Sequence, residues 1–215
     1  MATNDLPEQI RSLERQLQLP LPGRDAQERM AARVLPMPAE IPANARNSAV
    51  LALLFPLAGA LTLVLIQRTE DGGRHSGQVG FPGGRYEPAD AGFEATALRE
   101  TQEEVGITSD NIQLLGALTP LYIPVSNFIV HPFVGYTPQR PVYVLSKDEV
   151  AGIYEVDADG LFLPERKIVT TVRPSSAPNL TLTVPAYTLT DGPIIWGATA
   201  MMLSELEAVW NSAIK

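Results

Sequence analysis

Gly83–Ile107 reads GGRYEPADAGFEATALRETQEEVGI, and the rest of the chain is best read outward from it. The Gly-Gly pair permits a tight turn or a close backbone approach to a ligand. From Ala91 to Val105, Phe93, Ala97, Leu98, Thr101 and Val105 recur at helical spacing, and Gly106 supplies a stop. A rotation of about 100° per residue puts Glu100, Glu103 and Glu104 in a narrow arc of one helix face. Three carboxylates there repel one another unless positive charge sits between them. Hard oxygen donors of this kind suit Mg²⁺ or Mn²⁺, and a backbone carbonyl from the Gly-Gly turn could join them. Arg99 could orient a carboxylate through its two-pronged guanidinium. The plainer alternative is a solvated acidic helix end with surface ion pairs.

Upstream, SAVLALLF (48–55) and LTLVLIQR (61–68) read as two strands flanking PLAGA. EDGGRHSG (70–77) is too Gly-rich for a regular element, and QVGF (78–81) makes a short strand ending at Pro82. Downstream, IQLLGAL and FIVHPFVGY read as strands, and PVYVLSKDEVAGIYEV holds another strand, around PVYV, with a polar loop. LTLTVPAYTL and PIIW continue the β pattern, and GATAMMLSELEAVWNSAI forms a terminal helix. At the other end, residues 7–17 place Ile10, Leu13 and Leu17 on one helical face. A second short helix is expected over 26–34, followed by a Pro-rich connector. The expected class is α/β: a mixed β core with a dominant internal helix, a helical extension over 1–45 and one domain over 46–215.

The 215 residues suffice for one domain with a real core. Lys and Arg number 16 against 24 Asp and Glu, giving a formal net charge of -8. Such a chain lacks the basic surface of a nonspecific nucleic-acid binder. A phosphorylated substrate remains open to it, because a divalent ion reverses the local field. With no cysteine, disulfides, thiolate catalysis and cysteine–zinc sites are excluded, which fits a reducing cytoplasm. The N-terminal MATNDLPEQI lacks the apolar run of a secretory leader. No apolar stretch approaches the roughly 20 residues of a membrane-spanning helix.

The Gly83–Ile107 segment resembles the signature of the Nudix hydrolases, whose RE, EE and G elements stand here as Arg99-Glu100, Glu103-Glu104 and Gly106. Asp90 takes the acidic position before the helix, with eight residues between it and Arg99 rather than seven, and Thr101 replaces a usual aliphatic residue. QRTEDGGRHSGQVGFPGG, PLYIPVSNFIVHPFVGY and IIWGATAMML further resemble the coenzyme A pyrophosphatase subgroup. Gly72 and Gly73 depart from it, standing where a leucine and an arginine are common. The resemblance implies an α/β/α sandwich with mixed β-sheets and a divalent ion on Gly83, Glu100, Glu103 and Glu104. It implies hydrolysis of coenzyme A or acyl-coenzyme A to 3',5'-ADP and 4'-phosphopantetheine or its acyl derivative, and a homodimer. Alternatives are a Nudix enzyme acting on another nucleoside diphosphate derivative, such as ADP-ribose, and a weakly catalytic metabolite-binding module.

Several residues outside the helix stand as candidates. Arg68 and Arg74 suit phosphate contacts or surface ion pairs. His75 and Gln78 suit either a substrate phosphate or a hydrogen bond that shapes their loop. Ser126 and Asn127 suggest a turn that shapes the pocket, with Phe128 entering the next strand and a direct adenine contact left open. His131 reads as a core or edge residue, the Met201-Met202 pair as packing, and Trp196 as the aromatic anchor of the last helix. Glu149 is the candidate distal acid positioning metal or water, and Glu155 is expected to reach the surface by strand alternation.

Overall fold

In the computed structural model the described residues are 5–32, 40–70, 75–174, 177, 179–190 and 192–214. The N-terminal periodicity gives α1 (Leu6–Leu17), which buries Ile10, Leu13 and Leu17 as expected. The second helix is shorter and earlier than 26–34. It is α2 (Gly23–Gln27), continued by a 3₁₀ turn over Glu28–Met30. Val34 lies outside the described residues.

The long apolar run is strand β1 (Arg46–Leu57), the hub of the main sheet. A two-residue turn joins it to β2 (Ala60–Arg68); Ala58 and Gly59 both have positive φ, as a tight hairpin with right-handed twist requires. β2 also pairs with β3 (Val79–Gly80) and β8 (Val150–Asp157). On the same side of β1 runs β4 (Gly83–Arg85), in register Val50↔Gly83. On its other side β1 runs parallel to β7 (Phe128–Tyr136), which carries β5 (Gln113–Ala117) and β6 (Leu121–Ile123).

β1 is buried on both faces, which explains its nearly continuous apolar sequence. Ala49, Leu51, Leu53 and Phe55 share a core with Ala97 and Val105 of α3 (Phe93–Val105). Ala52 and Leu54 share the other with Leu13 of α1, Leu161 of α4 (Ala158–Leu161), and Leu203 and Leu206 of α5 (Gly197–Ile214). The layers are therefore α/β/α, and the N-terminal helices close one face rather than trailing from it. A second sheet, in the order β11 (Ile194–Trp196), β10 (Leu182–Thr188), β9 (Lys167–Val172), runs against α5.

Three expectations need correction. Residues 141–144 form no strand; Val142 and Val144 are exposed, while Tyr143 and Leu145 pack inward on the α3 core, and the strand starts only at Val150. The main anchor of α5 is Trp210 rather than Trp196, which is only partly buried at the end of β11. Trp210 is 1% exposed, donates from Nε1 to Asp159 at 2.9 Å and meets Phe162 edge-on. Gly83 and Gly84 are strand rather than turn. A Cβ on Gly83, whose φ is +151°, would collide with the Ala49 carbonyl and stand 2.6 Å from the Val50 Cα, so the close approach is to β1.

Candidate active site

The second half of α3 presents its acids to β4. Glu104 is 1% exposed; its carboxylate accepts from the Gly83 N–H at 2.7 Å and from Arg68 Nη1 at 3.2 Å. Burial pushes its pKa up to about 7, the charges of Glu100 and Glu149 push the same way, and the two donors only partly offset this. Burial also raises Glu100, with Glu103 and Glu149 adding to the shift against Arg99. Glu103 is more open to solvent and turns toward Arg99.

Arg99 organises this end of the helix. Its Nε and Nη2 grip Asp90 at 2.8 and 3.0 Å, while Nη1 donates to Glu100 and Glu103, each at 3.0 Å. Nη2 also reaches the Arg85 carbonyl at 3.0 Å, tying α3 to β4. The guanidinium holds Asp90 well below the usual carboxylate range, and Glu87 N–H and Thr96 Oγ1 add to that. The two-pronged contact thus falls on Asp90, and the extra residue between Asp90 and Arg99 is accommodated.

A cavity of about 370 Å³ is lined by Arg68, Gly83 and Gly84, the residues against which Glu104 and Glu100 stand, although the acids themselves are not among its lining residues. Arg68, His75, Gln78, Gly83, Gly84 and Arg85 line its polar side, and His75 Nδ1 lies 3.2 Å from Gln78 Oε1. Arg74 lies outside the described residues. Ser126 and Phe128 line the cavity too. Asn127 is not among the lining residues. It adopts a left-handed φ of 56°, accepts from Tyr122 Oη at 3.0 Å and donates to the Asn44 carbonyl at 3.2 Å, fastening the turn between β6 and β7. His131 stacks on Phe93 at 3.7 Å and pairs with Asn47 at 3.0 Å.

The two distal acids separate clearly. Glu149 is held by its backbone, its N–H on the Ser146 carbonyl at 3.1 Å and its own carbonyl taking the Thr69 N–H at 3.0 Å. Its carboxylate lies close enough to raise both Glu100 and Glu104. Glu155 is occupied elsewhere, by Arg140 at 2.8 and 3.0 Å and by Tyr143 Oη at 2.9 Å.

Among the described residues no three acidic or imidazole side chains are grouped so as to hold a metal ion. The chemistry of the donors nonetheless fits a divalent cation. Buried Glu104 and partly buried Glu100, with Glu149 within electrostatic reach of both, outnumber the cations Arg68 and Arg99, although burial is the larger cause of the raised pKa of Glu104 and of Glu100. Hard oxygens with excess charge of this kind are what Mg²⁺ or Mn²⁺ takes.

Sequence reasoning missed the contribution of α5, whose Ala198, Thr199 and Met202 line the cavity. It also missed Glu205. That residue is buried and accepts from Gly23 N–H at 3.1 Å, Thr119 Oγ1 at 2.6 Å and Gln27 Nε2 at 2.9 Å. A signal existed: Glu205 falls three after Met202 and four before Val209, on the apolar stripe.

The Nudix domain model matches residues 45–173, more than half of the chain, and the chain belongs to that family. A Yersinia enterocolitica protein named uncharacterized Nudix hydrolase NudL is 39% identical over 123 residues, 56% of this chain and 61% of that one. The protein of the same name from Pectobacterium atrosepticum is 45% identical over 101 residues, 47% and 52% of the two chains. The match thus spans about half to three fifths of these relatives' length. A MutT/nudix family protein from Enterococcus faecalis has the same fold, with a TM-score of 0.52 at 18% identity over 83% of this chain and 66% of that one. Among the described residues no helix is long and apolar enough to cross a membrane.

Proposed function

We propose that this protein is a divalent-metal-dependent diphosphatase that cleaves coenzyme A or acyl-coenzyme A into 3',5'-ADP and 4'-phosphopantetheine or its acyl form. The observation that carries the reading is the pair of buried Glu104 and partly buried Glu100, both with a pKa raised mainly by desolvation, set against Arg68, Gly83 and Gly84 of a cavity with a cationic side at Arg68 and an apolar side at Phe128 and Met202. A bound Mg²⁺ or Mn²⁺ supplies charge for the diphosphate oxygens and acidifies a water. Glu100, Glu103, Glu104 and the Gly83 carbonyl would hold it. Arg99 keeps Glu100 and Glu103 in place from outside the cavity. Water attacks one phosphorus, the bond from that phosphorus to the bridging oxygen breaks, and the departing phosphate keeps that oxygen. Glu149 takes the proton from the water, directly or through a second water. Arg68, His75 and Gln78 line the wall where the phosphates would lie, and Arg74 belongs to the same reading. Action as a homodimer in the cytoplasm completes the proposal.

The test is a panel of coenzyme A, acyl-coenzyme A, dephospho-coenzyme A and ADP-ribose with Mg²⁺ or Mn²⁺, read by product masses and kcat/KM. Coenzyme A should exceed ADP-ribose. The reverse order would reject the substrate while leaving the family assignment standing.

A further inference from the structure

Among the described residues the Ser126 hydroxyl is the buried side-chain polar atom without a hydrogen-bond partner. The residue is 3% exposed and lines the cavity. A hydroxyl left this way weakens the fold, so its retention calls for a reason. The turn that carries it does not need it. Asn127 N–H bonds the Ile123 carbonyl at 2.9 Å, the Asn127 side chain ties to Tyr122 and Asn44, and Arg46 Nη2 takes the Ser126 carbonyl at 3.1 Å. The same cavity carries apolar lining from Ile123, Phe128 and Val130 on the sheet side and Ala198 and Met202 on α5, with Ser48 and Thr199 as its other hydroxyl residues on those walls.

Resting on the coenzyme A reading, we infer that Ser126 is a specificity-determining residue whose hydroxyl hydrogen-bonds an amide in the apolar arm of the substrate. A nucleobase edge presents several donors and acceptors side by side and needs several partners. One unpartnered hydroxyl among apolar side chains instead matches a largely alkyl chain interrupted by single amides. The α5 part of that wall lies beyond residues 45–173, whereas Ser126 lies within them, so the arm would be met by residues from both parts of the chain.

The experiment compares wild type with Ser126→Ala in three measurements. The ratio of kcat/KM for coenzyme A to that for ADP-ribose should fall roughly tenfold to hundredfold, because the amide loses its buried partner. Calorimetric affinity for 4'-phosphopantetheine should fall by a similar factor. The ligand-free Tm should stay level or rise, since an unsatisfied group has been removed. Equal losses on both substrates, or a clear drop in ligand-free Tm, would overturn the inference and make Ser126 a general pocket or turn residue. Unchanged selectivity with intact coenzyme A cleavage would overturn it and spare the proposed function. Ser126-dependent binding of 4'-phosphopantetheine without coenzyme A cleavage would do the opposite. No wild-type binding of that probe would also overturn it.

Discussion

Gly84 stands against the carboxylate of Glu100: a Cβ at position 84 would lie 2.5 Å from the Glu100 Cδ and 2.6 Å from its Oε1. The Gly-Gly pair therefore divides its work, Gly83 fitting β4 onto β1 and Gly84 leaving room for an acid of the site. Gly84→Ala should displace Glu100 and lower kcat by about 10²-fold, the scale of a misplaced reacting group, with a Tm close to wild type. Gly83→Ala should instead lose the fold, because its Cβ meets strand backbone. Activity and melting measured together check both; a fully active Gly84→Ala protein would remove Glu100 from the mechanism.

Asp90 gives a prediction in pH. Its pKa is depressed in the folded protein, mainly by the Arg99 guanidinium. Stability from such a group is present above its unfolded pKa of 3.8 and is lost as pH falls through the lower folded value. Asp90→Asn should therefore lower Tm by a similar amount at pH 5 and pH 8, and the gap from wild type should close only below about pH 4. A gap that opens or closes near neutrality would mean another group dominates.

Glu103 and Glu104 share a helix face but should respond differently. Glu104 is buried among acids, whereas Glu103 is more than half exposed. Glu104→Gln should keep or raise the metal-free Tm, reduce turnover by orders of magnitude and shrink the Tm gain on adding Mg²⁺. Glu103→Gln should also lower turnover and metal affinity while changing the metal-free Tm little. Thermal melts with EDTA or Mg²⁺, beside rates, read both. Near-normal rates in a folded Glu104→Gln protein would sink the metal assignment.

What was legible in the sequence was periodic. The α3 stripe and the strands β1 and β2 on either side of PLAGA followed from spacing and turn chemistry, whereas the burial of β1 on both faces came from the packing. The β9 strand was not expected, because KIVTTV alternates exposed and half-buried positions without a strong apolar face. PVYV had the composition of a strand but no ladder partner, since its inward residues Tyr143 and Leu145 are taken up by the α3 core. In the site, the acids and Arg99 were visible as a local motif. The Asp90 grip needed a loop to return on the helix, and the wall formed by α5 needed contacts across the whole chain.

Glu205 tests whether the N-terminal helices are integral to the domain. Its carboxylate is buried with no cationic partner among the described residues, held by donors from α2 and the 118–120 loop. Glu205→Ala strands at least the Gly23 and Thr119 N–H groups, so a loss of about 3 kcal/mol or more is expected. Urea unfolding should show it. Protection of the amides of residues 23–27 in hydrogen exchange should fall with it. Unchanged stability would mean that α2 contributes little to the fold.

Glu149 and Glu155 form the sharpest pair of alternatives for the distal acid. Both belong to the segment after β7, and both have the right chemistry for a general base. Position separates them: Glu149 acts electrostatically on Glu100 and Glu104, while Glu155 is paired with Arg140 and accepts a hydrogen bond from the Tyr143 hydroxyl. A base must reach the attacking water directly or through another water. Glu149 is exposed beside the cavity acids, and its backbone is pinned by Ser146 and Thr69, so only its side chain has to move. Glu149→Gln should lower kcat by about 10²-fold or more, in the range of general-base loss, with smaller changes in KM and Tm. Glu155→Gln should lower Tm by weakening its hold on Arg140 and leave kcat within a few-fold of wild type. Rates at saturating Mg²⁺ and melts of both proteins decide between them. An active Glu149→Gln protein beside a folded but inactive Glu155→Gln protein would move the catalytic role to β8.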